Sequence, residues 1–168
     1  MQSPNTTDET FDEQQARSVV SPLLTNAYEA FAFTDESVIY DTLARSADGE
    51  VLDRLYRDIY ASMIVSDHDR GRAIIADVTP TGVELLDADD VSFTVRASWN
   101  ATGSVYHWGH SHERTYAYTA EITSSVVDDA WKMTALTVTD QERLIDEDEL
   151  DLPDAELPEE FRFEGLEL

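Results

Sequence analysis

The feature that most constrains this chain is a change in the spacing of its apolar residues, from three-and-four to two, near residue 70. Ahead of that point Ala16, Val20, Leu23, Leu24, Ala27, Tyr28 and Phe31 recur at helical spacing. Ile39, Tyr40, Leu43 and Ala44 form a second helical set after Thr34-Asp35. Val51, Leu52, Leu55, Tyr56, Ile59, Tyr60, Met63 and Ile64 form a third, continuous stripe after Asp48-Gly49, which predicts a helix buried along one face. Ser21-Pro22 can supply an N-cap and a first helical residue, so the first helix is expected either to restart there or to kink.

Beyond the loop SDHDRGR the period is that of β-structure. Val91, Phe93, Val95, Ala97, Trp99 and Ala101 alternate with Ser92, Thr94, Arg96, Ser98, Asn100 and Thr102, as a half-buried antiparallel strand requires. Thr79-Pro80-Thr81-Gly82 signals either a turn between two short strands or a bulge in one long strand. Asp87 to Asp90 and Asp128-Asp129 read as turns, and the step from Met133 to Leu136 predicts a bulge near Thr134-Ala135. The expected architecture is α+β, with N-terminal helices packed on a curved, mostly antiparallel sheet. It comprises a loose segment 1–10, one domain over 11–143 and an acidic tail over 144–168.

Charge narrows the function classes. Thirty-six Asp and Glu against eleven Lys and Arg give a net charge of −25, which opposes nucleic acid and anionic membranes. Asp146 to Leu168 holds eleven of the acids and one arginine, so the remainder still carries 25 acids and 10 bases, or −15. With a single lysine among the bases, this is the balance expected of a protein from a salt-loving host, where salt screens the self-repulsion. The chain has no cysteine, which excludes disulfides and thiol catalysis. It has neither an apolar run of membrane-spanning length nor a signal-peptide pattern, so no direct membrane insertion is expected. The expected compartment is the cytoplasm for a complete chain, and extracytoplasmic for a domain of a longer membrane-associated protein.

The stretch SVYHWGHSHERTYAY gathers the chemistry. Alternation puts His110, His112, Arg114, Tyr116, Tyr118, Ala120 and Ile122 on one strand face, the less polar one, with Ser111, Glu113 and Thr115 on the other. Semi-buried polar groups need partners, and Asp35 or Asp41 are candidates for Arg114. Three readings compete: a structural network at the sheet's mouth, a ligand pocket of His110, His112, Arg114, Tyr116, Tyr118 and Trp99, or a metal site. In a catalytic version His110 or His112 would be the general base and Tyr116 a hydrogen-bond donor. A metal would draw on His107, His110 and His112. His107, three before His110, points to the opposite face unless Gly109 resets the alternation. No cofactor motif is present, and no cofactor is expected.

The run Asp128-Asp129-Ala130-Trp131-Lys132-Met133, the YEAFAF of residues 28–33 and the long strand through Tyr116 and Tyr118 together resemble the NTF2-like superfamily. That is the cone-shaped α+β fold of ketosteroid isomerases and SnoaL-like proteins. The longer pattern over residues 11–143 is similar to a prokaryotic group, partly membrane-associated, with no assigned activity. The resemblance implies a pocket between the concave sheet and the helices. Members often place a short hairpin before the third helix, whereas Asp48-Gly49 joins two helices directly, which keeps a cystatin-like helix-on-sheet arrangement as the alternative. The expected function is a non-catalytic binding or interaction domain, in the role of the soluble part of a membrane-associated assembly, its partner a protein, a second copy or a small molecule. The alternatives are an isomerase- or dehydratase-like enzyme and a metal-binding domain.

Overall fold

The structure, a computed structural model, describes residues 11–69, 72–107 and 110–144; the side chains at 62–69, 72–74, 76, 105–107 and 110–112 lie outside that description. The loose segment 1–10 and all but the first residue of the acidic tail also fall outside it. Three helices precede one sheet: α1 (Glu13–Glu29) with a 3-10 turn at Ala30–Ala32, α2 (Glu36–Leu43), α3 (Gly49–Asp69), then β1 (Arg72–Ala88), β2 (Ser92–His107), β3 (His110–Val127) and β4 (Ala130–Leu144). The strands form an open antiparallel meander in sequence order. The expected α+β class, helices first and sheet second, is what the chain adopts.

Local chemistry sets the helix boundaries. Gln15 N donates to Asp12 Oδ1 at 2.7 Å while Asp12 N donates to Gln15 Oε1 at 2.8 Å, a reciprocal box that satisfies the first turn of α1. Asp35 Oδ1 accepts from the backbone of Ser37 and Val38 to start α2. Asp35 therefore acts as a helix cap. Gly49 has φ +58, the left-handed conformation that lets the chain swing from the α2–α3 connection into α3.

Pro22 does not restart the first helix; α1 runs unbroken from Glu13 to Glu29. Proline removes one backbone donor, whose acceptor would have been the Ser18 carbonyl. Ser18 is exposed and Pro22 is not buried, so water can serve that carbonyl, while buried Val20, Leu23 and Leu24 hold the helix on the core from either side of the interruption.

The sheet's curvature has a structural cause in its outer strands. β2 and β3 pair in continuous register from Ser92↔Ser125 to His107↔His110. β1 carries shifts between Ile75 and Asp77, Pro80 and Gly82, and Leu85 and Asp87, and β4 carries two more, one of them skipping Thr134 between its partners Thr123 and Ser124. Each extra residue bends and twists its strand, so the edges wrap toward the helices around a regular centre. Residues 72–88 are thus one bulged strand and not two strands with a turn. The bulge near Thr134 falls where the broken alternation predicts it. Asp128 and Asp129, at φ 50 and 61, make the two-residue turn joining β3 to β4.

The concave face is buried against the helices through Phe93, Val95, Ala97, Trp99, Tyr118, Ala120, Ile122 and Met133. At one end Phe11 stacks on Phe93 at 4.8 Å and meets Trp131 at 5.7 Å, which ties the start of α1 to the β3–β4 hairpin. The convex face is zipped by hydroxyls: Thr94 with Thr123, Ser98 with Thr119 and Thr102 with Thr115 at 2.8–3.0 Å. The outer edge of β4 is partly occupied. Met133 N donates to the Ser46 carbonyl at 2.7 Å, Asp48 N donates to the Met133 carbonyl at 3.1 Å, and Arg54 Nη2 donates to the Leu136 carbonyl at 2.7 Å. These contacts cap an edge that would otherwise be open to another strand.

Candidate functional site

A cavity of about 30 Å³ lies between α1, α3 and the concave sheet, walled by Tyr28, Phe31, Ile59, Trp99, Tyr118 and Leu136 among others. A water needs about 10–15 Å³ by such a measure, and ligand pockets run to about 300 Å³ and above. That volume holds a water or two and no larger molecule. Its walls are apolar apart from two phenols and one indole.

Those three groups are mutually arranged. Trp99 Nε1 donates to the Tyr28 hydroxyl at 2.9 Å, across 71 residues of sequence, and both side chains are buried. The Trp99 and Tyr118 rings stack at 5.5 Å with an interplanar angle of 18°. Burial pushes the Tyr28 phenol well above its ordinary value, against the lowering effect of the bond from Trp99. Burial does the same at Tyr118, reinforced by Tyr28 and Tyr116. Both phenols are therefore neutral donors at physiological pH, and neither is a base. Among the described residues, the carboxylate pushed upward is Asp58, by burial against the pull of Arg54 and Arg57. Asp58 lies on α3 outside the cavity lining.

The residues singled out in the sequence divide into three groups. Trp99 and Tyr118 reach the cavity. Tyr116 is buried one step further along β3, its ring 6.3 Å from that of Tyr118, and Arg114 is half-buried beyond it with Nε and Nη1 enclosed. The side chains of His107, His110 and His112 lie outside the described residues, so the proposed base, pocket and metal roles at those positions do too. Their backbones show that His107 ends β2 and pairs with His110 at the start of β3, while His112 pairs with Val105. The offset of three between His107 and His110 is thus the span of a hairpin, and not a break in the alternation of one strand.

Two participants carry no signal in the sequence. Tyr28 has the spacing of an ordinary member of the α1 stripe, and only its phenol's position under Trp99 distinguishes it. Arg143 lies in a strand end with no pattern, yet it pairs with Tyr116 and so stands on the concave side near Arg114.

Outside the cavity, the α2–α3 face carries a tyrosine ledge. The Tyr40 and Tyr56 rings meet edge to face at 5.7 Å, and Tyr56 stacks on Tyr60 at 6.1 Å. Tyr40 is 42% and Tyr60 37% exposed, with Phe33 and Val38 exposed to a similar degree. No helix among the described residues is long and apolar enough to cross a membrane.

No family model matches this sequence, and no curated protein matches it. Among solved structures, the chain is similar to the intermembrane space region of the chloroplast protein ARC6, with a TM-score of 0.54 and 16% identity over 77% of this chain and 97% of that one. At that identity the likeness is one of fold.

Proposed function

We propose that this is a non-catalytic binding or interaction domain built on an NTF2-like cone, serving as the soluble part of a membrane-associated assembly. The observation that carries the reading is the cavity between helices and sheet: about 30 Å³ of apolar space lined by neutral phenols, with no carboxylate among the described residues of its wall. An isomerase or dehydratase needs a substrate-sized cavity and a group able to accept a proton near neutral pH. The tyrosine ledge supports the interaction reading from the other side, because aromatic residues on a charged surface are the composition of interface hot spots. The fold shared with the intermembrane space region of a chloroplast protein suits a domain that works as part of something larger.

The test replaces Tyr60 with a photo-crosslinking phenylalanine analogue and, separately, Thr119 on the convex face, in cells expressing the whole chain. The expected result is one adduct of defined mass from position 60 and none from position 119. A small carbonyl compound that is turned over, with activity lost in Tyr118→Phe, would overturn the reading.

A further inference from the structure

The exposed rings on α2 and α3 stand in a negative setting. α2 buries Ile39 and Leu43, and α3 buries Val51, Leu52, Leu55 and Ile59, so Tyr40, Tyr56 and Tyr60 fall on the shoulder where the two helices meet solvent. Tyr40 stands at 75° to Tyr56, and Tyr56 lies at 19° to Tyr60, so the ledge offers ring faces in two orientations. A ring face is the negative end of the aromatic quadrupole and attracts cations. The Tyr56 hydroxyl donates to Glu36 Oε2 at 3.4 Å, which puts a carboxylate at the rim. Asp53 precedes Tyr56 by three on α3 and shares its side. The Tyr56 phenol is held above its ordinary value, by desolvation first and then by the charge and hydrogen bond of Glu36. An added positive charge would be welcome there.

The surrounding charge decides between occupants. Residues 35–60 hold seven carboxylates and three arginines, a net of −4. Two of those arginines turn to the protein: Arg54 Nη2 donates to the Leu136 carbonyl at 2.7 Å, and Arg57 Nε donates to the Asp53 carbonyl at 3.1 Å on its own helix. A second copy of the chain brings another −25, and an anionic membrane brings phosphates, so both are repelled. A neutral apolar partner would desolvate Glu36 and Asp53 with no counter-charge, which is costly. A guanidinium does what neither can. It is planar and weakly hydrated, it stacks on an aromatic face, and its edge donates to a carboxylate in the same pose.

We infer, building on the interaction reading above, that the tyrosine ledge receives an arginine-bearing segment of a partner protein, its guanidinium laid over the tyrosine faces and bonded at its edge to Glu36. The rings supply the contact area. The carboxylates select a basic partner over an apolar or acidic one.

The test adds two capped pentapeptides to the full chain while backbone amide shifts are followed, one with a leucine between two arginines and one with glutamines in place of the arginines. At about 1 M potassium chloride the Debye length is about 3 Å, so attraction from the acidic body at large is screened and contact at the ledge remains. The arginine peptide should shift amides within residues 36–41 and 53–60 and leave Thr94 and Thr119 on the convex face unmoved, and the glutamine peptide should shift none of them. Tyr60→Ala and Glu36→Gln should each weaken the arginine peptide about two- to fivefold. Tyr60 is 37% exposed, and Glu36→Gln keeps every ring, so the second variant holds the test even if the first disturbs the helix. No shift, shifts spread over the acidic surface, or equal shifts from both peptides would overturn the inference. The crosslink from position 60 separates it from the broader reading. An adduct there without arginine preference in the titration keeps an interaction surface and removes its basic partner, as does an adduct between two copies of this chain. Localised, arginine-selective shifts with no adduct in cells would keep the site and sink the assembly reading.

Discussion

Tyr28→Phe removes one oxygen atom from the middle of the protein, and its cost can be worked from the contacts around it. The Trp99 indole is 3% exposed and donates to that oxygen at 2.9 Å. Without it the N–H stays buried with no acceptor, a loss of about 1–3 kcal/mol. For an ordered domain of this size each kcal/mol lowers the melting temperature by roughly 3–5 °C, so a fall of about 3–15 °C is expected. Tyr28→Phe with Trp99→Phe should cost less than the sum of the single changes, because removing both partners leaves nothing unsatisfied. Alkali supplies a second readout. Tyr28 and Tyr118 have folded pKa values raised above the ordinary phenol value by burial, so above about pH 10 the unfolded chain releases protons that the folded chain retains. Stability from these groups is whole below about pH 10 and is lost as pH rises, by about 1.4 kcal/mol per pH unit for each tyrosine. Urea unfolding at pH 9, 10 and 11 should show the wild type losing stability more steeply than Tyr28→Phe, so that the gap between them closes. A Tyr28→Phe protein that melts with the wild type at pH 7, or a wild type whose stability is flat over that range, would refute the reasoning.

Asp129→Gly should stabilise the protein by about 0.5–1 kcal/mol, since position 129 sits at φ 61 where glycine carries no steric penalty; a thermal scan showing no gain would count against the turn geometry. Phe11→Ala should cost about 2 kcal/mol in urea unfolding through loss of the stack on Phe93 and Trp131, and a neutral effect would mean that α1 is not anchored there. With a net charge of −25, the melting temperature should climb as potassium chloride rises from about 0.1 M to about 1 M, and a salt-insensitive transition removes the halophile reading. Metal analysis after dialysis should find no stoichiometric zinc, whereas about one zinc per chain, lost in His110→Ala with His112→Ala, would make the histidine hairpin a metal site.

The sequence by itself determined which side of each element faces the core, because burial leaves a periodic trace along the chain. The α3 stripe through Val51, Leu52, Leu55 and Ile59, the alternation of β2, the turn at Asp128-Asp129 and the bulge at Thr134 are legible in the spacing, whereas Tyr60 of the same stripe is exposed. The buried set Tyr116, Tyr118, Ala120 and Ile122 follows from alternation along β3. Periodicity says nothing of which residue a buried side chain will meet. The Tyr28–Trp99 bond joins positions 71 apart, Arg54 reaches the Leu136 carbonyl 82 residues on, and the Ser46–Asp48 segment bridges to Met133. Pro22 departs from its local expectation for the same reason: its preference to begin a helix is outweighed by the burial of Val20, Leu23 and Leu24, an energy that exists only once the sheet is in place. The small volume of the cavity under Trp99 and Tyr118 was likewise decided by tertiary structure, since it is the difference between the curvature that the bulges impose on the sheet and the bulk of the side chains that α1 and α3 bring against it.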